Sequence, residues 1–137
     1  MKSLLSLAPR PLHLETNLQG QVVSIIPPCH ADADQVRELT AKVEQVGGRA
    51  KVLEFGDDDK LKSISGPVIL WGNLANNDAV RELYFKFLLV TDCRYPGPGG
   101  YELRTLMNPL GTGSNIIHLG YSDEAGFAIG WVKLLAQ

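Results

Sequence analysis

The stretch Gly66-Pro67-Val68-Ile69-Leu70-Trp71-Gly72-Asn73-Leu74-Ala75-Asn76-Asn77-Asp78 decides the fold class. Gly66-Pro67 opens a strand in which Val68 to Trp71 are apolar at every position. A strand with one wet face alternates, whereas an unbroken apolar run suits a strand covered on both faces. Past Trp71 the residues become turn formers, and Asn76-Asn77-Asp78 suit a helix start. Ala79, Val80, Leu83, Tyr84 and Phe87 then recur at helical spacing and predict one apolar stripe. A doubly covered strand running into a helix is the unit of a layered α/β sheet.

The upstream sequence repeats this unit. Gln21 to Ile26 is rich in β-branched residues and stops at Pro27-Pro28, which reads as a buried strand. Ala31 to Val46 follows as the clearest helix, with Val36, Leu39, Thr40, Val43 and Val46 on one face and Gly47-Gly48 as its stop. Asp32 and Asp34 stand where carboxylates favour a helix N-terminus. Ala50 to Phe55 reads as a second strand, and Asp57-Asp58-Asp59 as a solvated acidic turn.

Downstream the pattern changes. Tyr95-Pro96-Gly97-Pro98-Gly99-Gly100 is a loop that no helix can cross. Tyr101 to Leu106 alternates as a strand with a wetter face. Asn108 to Gly113 is a hairpin-type connection into a strand at Asn115 to Leu119. Ser122 or Asp123 caps a last helix carrying Ala125, Phe127, Ala128, Ile129, Trp131, Val132, Leu134 and Leu135, a broad apolar surface that predicts packing on a sheet or a neighbouring domain. The expectation is an α/β (or α+β) fold, a layered mixed sheet of about five strands with three main helices. Residues 1–20 form a lead-in, with a short strand at Leu12-His13-Leu14, and residues 21–137 a single domain.

The chain's 137 residues suit one domain, and 45% hydrophobic with 20% charged residues is ordinary for a globular one. A net charge of -2 without basic clusters argues against nucleic acid and anionic membranes as partners. The apolar run at the N-terminus is broken by Ser6 and ends at Pro9, so no signal peptide is read, and no stretch approaches the roughly 20 apolar residues of a membrane span. A soluble protein is expected. Cys29 and Cys93 carry no disulfide framework and are read as two buried free thiols.

Chemistry is sparse. His13, His30 and His118 have no second histidine or cysteine at ligand spacing beyond the adjacent Cys29-His30, so no metal is predicted. There is no Gly-x-Ser-x-Gly elbow, and Cys29 follows two prolines. Gly111-Thr112-Gly113 precedes a strand with no lysine after it, which fits a hairpin better than a phosphate loop, and no cofactor is predicted. The most suggestive cluster is Trp71, Asn73, Asn76 and Asn77, just past the carboxyl end of a buried strand, where open α/β sheets bind ligands. A tryptophan face and three amides would suit a sugar. The same asparagines serve equally well as turn and cap residues.

One resemblance bears on function. Gly-Tyr-Glu-Leu-Arg at 100–104, Asn-Ile-Ile-His-Leu-Gly at 115–120 and the segment from Ser122 to Gln137 resemble the end of the small α/β domain that precedes the catalytic barrel in β-hexosaminidases, α-glucuronidases and related glycosidases. The matching positions are Tyr101, Leu103, Ile116, Ile117, Gly120, Ala125, Gly126, Gly130, Leu134, Leu135 and Gln137, a little over a quarter of the chain. The resemblance implies a domain that is not itself an enzyme, because in those families the catalytic acids lie on the barrel. Its partner would be the catalytic module of the same polypeptide, and the C-terminus would mark an excised domain boundary. Separation from that partner would leave an apolar patch of roughly several hundred Å². Gly126 and Gly130, each costing about 1 kcal/mol in a helix, need a packing reason such as close approach to another element. The alternative is a small-ligand or oligosaccharide-binding domain using the asparagine cluster. Trp71, Asn73, Asn76, Asn77, Tyr95, Gly126 and Gly130 are the candidate ligand or interface residues.

Overall fold

The computed structural model describes residues 17–56 and 61–137. The strand expected at Leu12-His13-Leu14 and the acidic turn at Asp57-Asp58-Asp59 lie outside these residues. Among the described residues five strands form one mixed sheet: β1 (Val22–Ile26), β2 (Arg49–Val52), β3 (Val68–Trp71), β4 (Tyr101–Leu106) and β5 (Ile116–Tyr121). Their order is β2-β1-β3-β5-β4, with β4 antiparallel to β5 and every other pair parallel. Helices α1 (Ala33–Gln45) and α3 (Glu124–Leu135) cover one face, and α2 (Asp78–Phe85) covers the other. The result is a three-layer α/β/α arrangement.

The period of two along each strand divides the core. Val23, Ile25, Ile69, Trp71, Ile117 and Leu119 point toward α1 and α3, meeting Leu39, Val43, Phe127, Trp131 and Leu134. Ile26, Val68, Leu70 and Ile116 point the other way, toward Ala79, Val80 and Leu83 of α2 and Leu61 of a short 3-10 turn. All four residues of β3 are buried, as its unbroken apolar run predicts. Between α1 and α3 the gap is filled by an aromatic chain: Tyr121, Phe127, Trp131 and Trp71 with successive centroids 4.9, 5.3 and 5.1 Å apart. Trp131 Nε1 donates to Glu38 Oε2 at 3.2 Å and so ties α3 to α1.

Each helix begins on a side-chain cap. Asp32 accepts from the Asp34 amide at 2.8 Å, Asn77 from Ala79 at 3.0 Å and Asp123 from Gly126 at 2.8 Å. Helix α2 stops earlier than its apolar spacing predicts. It ends at Phe85, and Phe87 turns to φ 60 with 94% of its surface exposed. Its amide bonds back to the Tyr84 carbonyl and that of Leu88 to Leu83, closing the helix with a left-handed residue. Phe87 therefore belongs to the helix stop and not to the core stripe.

Two further expectations are corrected. Cys29 and Cys93 are both free and exposed, because each sits in a loop and not on an inward-facing strand or helix position. The second strand spans only Arg49–Val52, since beyond Val52 the pairing with β1 runs out. No helix among the described residues is long and apolar enough to cross a membrane.

Candidate functional site

The parallel strands β1, β3 and β5 present their carboxyl ends at the same edge of the sheet. The chain leaves β1 toward β2 on one side, whereas β3 leads through α2 toward β4 and β5 on the other. The topological switch therefore falls between β1 and β3, where the two connections diverge and leave a crevice. Three segments converge on it: Pro28 to Asp32 after β1, Gly72 to Asn76 after β3, and Tyr121 to Glu124 at the end of β5. The Cys29 amide donates to the Asn76 carbonyl at 2.7 Å, joining the first two. His30 makes the turn into α1 at φ 59, and Gly72 leaves β3 at φ 124, where a side chain would strike Asn76. The crevice, open to solvent on one side, has a volume of about 300 Å³ and is bordered by Cys29, His30, Asp32, Gln35, Asn76 and Glu124, with the nearly buried rings of Tyr121 and Phe127 beside them.

The asparagine cluster divides at this point. Asn77 is buried, and its Nδ2 donates to the carbonyls of Ile26 at 3.1 Å and Trp71 at 2.8 Å, clasping the ends of β1 and β3. Asn73 is also buried; its Nδ2 donates to the Tyr121 carbonyl at 3.0 Å and its Oδ1 accepts from Ala75 at 2.9 Å, clasping β3 to β5. Both amides are spent on the backbone. Trp71 has no exposed surface, packs tilted at 56° against Trp131, and offers no face to a ligand. Of the four, only Asn76 borders the crevice, while its Oδ1 accepts from the Asn73 amide at 2.8 Å. Tyr121, hydrogen-bonded to Asn76, is pushed up to about 12 by burial and stays protonated at all ordinary pH.

Tyr95 lies elsewhere, half-exposed in the loop before β4, where Asp92 accepts from the amides of Arg94 and Tyr95. Those two donors hold the Asp92 carboxyl below its usual range. Gly126 and Gly130 lie on the inward side of α3 and not at the crevice. A Cβ on Gly126 would collide with the Gly100 carbonyl oxygen, and one on Gly130 would come within 2.5 Å of Leu119 Cδ1. They approach closely the domain's own chain: Gly126 the backbone just ahead of β4, and Gly130 the sheet residues Leu119 and Tyr101. His118 is fully buried on the α2 side, its Nε2 bonded to the Gly72 carbonyl at 3.0 Å; burial lowers it to about 4, so it is neutral.

Sequence reasoning passed over His30, Asp32, Gln35 and Glu124 as a group. Their common signal is position, each lying just after a strand end or in the first turn of the following helix. Among the described residues no three His, Cys, Asp or Glu side chains are grouped as metal ligands would be. A second cavity of about 320 Å³ lies between α1 and α3, walled by Leu39, Val43, Ile69, Ile117 and Leu134; its polar neighbours are Asn17, Lys42 and Gln137. No family model matches the chain, and no curated protein matches it in sequence.

The other notable surface is the outer side of α3. Ala125, Ala128, Ile129, Val132 and Ala136 are all exposed, at spacings that line up along one side of the helix. Ile129 is 49% and Val132 66% exposed. Since Phe127, Trp131 and Leu134 face the core, α3 is apolar on both sides.

Proposed function

We propose that this chain is a non-catalytic accessory domain of a larger glycoside- or polysaccharide-processing enzyme, docked on that enzyme's catalytic module through the outer side of α3. The observation that carries the docking is the exposed row Ala125, Ala128, Ile129, Val132 and Ala136. A solvent-facing apolar row on a helix is stabilised by a partner that covers it. The carbohydrate part of the reading rests on the resemblance between residues 100–137 and the domain preceding glycosidase barrels. Gly126 and Gly130 fit it through packing: by letting α3 lie directly on Gly100 and Tyr101, they set the height and angle at which its outer row is presented.

The test begins with the parent coding sequence beyond Gln137. A continuing frame with paired carboxylates at barrel strand ends is expected, and a stop codon there would sink the reading. In that parent protein, Val132→Glu should weaken the association of the two modules about 30-fold or about 2 kcal/mol, the scale of one desolvated apolar contact replaced by a buried charge. Limited proteolysis between the modules reads this out. Unchanged cleavage would place the contact elsewhere.

A further inference from the structure

We infer that the crevice at the carboxyl ends of β1, β3 and β5 binds a hydroxyl-rich ring of monosaccharide size, and binds it best when the ring carries an ammonium group. This does not depend on docking through α3, since no residue of the outer row lines the crevice.

The position is given by topology: the diverging connections leave the crevice open whatever side chains surround it. Its walls are preformed. Asn77 and Asn73 fasten the three strand ends to one another, so the segments that border the cavity are held before any ligand arrives. At about 300 Å³ the space falls at the small end of ligand sites, room for one ring and not for a buried chain.

The lining selects the chemistry. Asp32 and Glu124 bring two carboxylates and Gln35 a free amide, while Asn76 is held by the Asn73 amide and by Tyr121; among the described residues His30 is the one basic side chain at the border. Carboxylates accept from hydroxyl and ammonium donors, and amides both donate and accept, which matches adjacent ring hydroxyls. An anion would be expected to favour the N-termini of α1 and α3, since both adjoin the cavity. Those ends already carry acidic caps, Asp32 on the Asp34 amide and Asp123 on the Gly126 amide, and a further acidic residue, Glu124, opens α3. Phosphate and uronate therefore meet negative charge where a phosphate site would offer free amides. The cavity disfavours them.

Amide chemical shifts of the isotopically labelled chain, titrated with D-glucosamine, D-glucose, D-glucuronate and inorganic phosphate, test the proposal. Shifts confined to residues 28–35, 72–76 and 121–124 are expected, with glucosamine binding tightest and glucuronate and phosphate weakest. Glu124→Gln, a surface change that leaves the fold intact, should weaken glucosamine about tenfold while changing glucose less, one charge-assisted contact being worth about that much. Gln35→Ala should weaken both sugars together. Absence of crevice shifts with either sugar, or phosphate or glucuronate binding there more tightly than the sugars, would overturn the proposal. So would equal binding to the wild type and both variants.

Discussion

Helices α1 and α3 lie on the same face of the same sheet, each opened by an aspartate cap and each sending a row of large side chains inward. They differ on the outside. Helix α1 presents Asp34, Arg37, Glu38 and Glu44 to solvent, with an ion pair between Asp34 and Arg37. Helix α3 presents the row Ala125, Ala128, Ile129, Val132 and Ala136, with charge only at its two ends, Glu124 and Lys133. Burial against the sheet explains the inner rows of both, so it cannot explain the outer row of α3. What separates them is the exposed apolar row of α3, which on the proposed function is the surface a partner covers.

The largest effects should come from the inner rows, where the two helices rely on opposite devices. Leu39→Ala in α1 opens a cavity and should cost about 3 kcal/mol. Gly126→Ala in α3 does the reverse, driving a methyl group into the backbone oxygen of Gly100, and should cost about as much. Urea unfolding of the two variants checks this. A Gly126→Ala protein as stable as the wild type would mean that α3 is not seated on Gly100.

Acid should weaken the sheet beneath both helices. His118 titrates near 6.5 when unfolded and about 4 when folded, because its ring is buried. Above pH 6.5 both states are neutral and the contribution is fully present. As pH falls from 6.5 to 4 the unfolded state takes up the proton first, and roughly 3 kcal/mol of stability should be lost. The measurement is the urea midpoint across that range, and His118→Gln should flatten the slope whatever its effect on the midpoint at neutral pH.

The smallest effects should come from the outer rows of the chain on its own. Val132→Glu and Arg37→Ala should each stay within about 0.5 kcal/mol of wild type, because exposed positions rarely do more. The comparison sharpens in solubility: Val132→Glu should raise it, by removing part of an apolar row, and Arg37→Ala should not. Sedimentation at increasing concentration separates the two. Equal behaviour would remove the distinction between the helices.

Much of the architecture was legible in the residues. The unbroken run Val68 to Trp71, the helix spacing from Val36 to Val43, the hairpin around Asn108 to Gly113 and the cap before Glu124 are local signals, and each has its counterpart in the fold. Local pattern says less wherever a residue type serves two purposes. Asn73, Asn76 and Asn77 look alike in sequence, yet two of them clasp strand ends and one borders the crevice. Phe87 keeps the helical spacing and still leaves the core, because the helix closes two residues earlier. The crevice residues were legible singly, but their convergence was not: Asp32 and Glu124 are far apart in the chain and meet only because β1, β3 and β5 end together.

Period, capping and apolar runs act over a few residues, so the sequence by itself determined the kinds and order of the elements. It also determined the broad apolar surface of α3. Strand order, the switch between β1 and β3, the burial of Trp71 and the split among the asparagines were decided only by the tertiary structure. Each depends on contacts between segments tens of residues apart, and no local pattern records which strand a buried run will pair with.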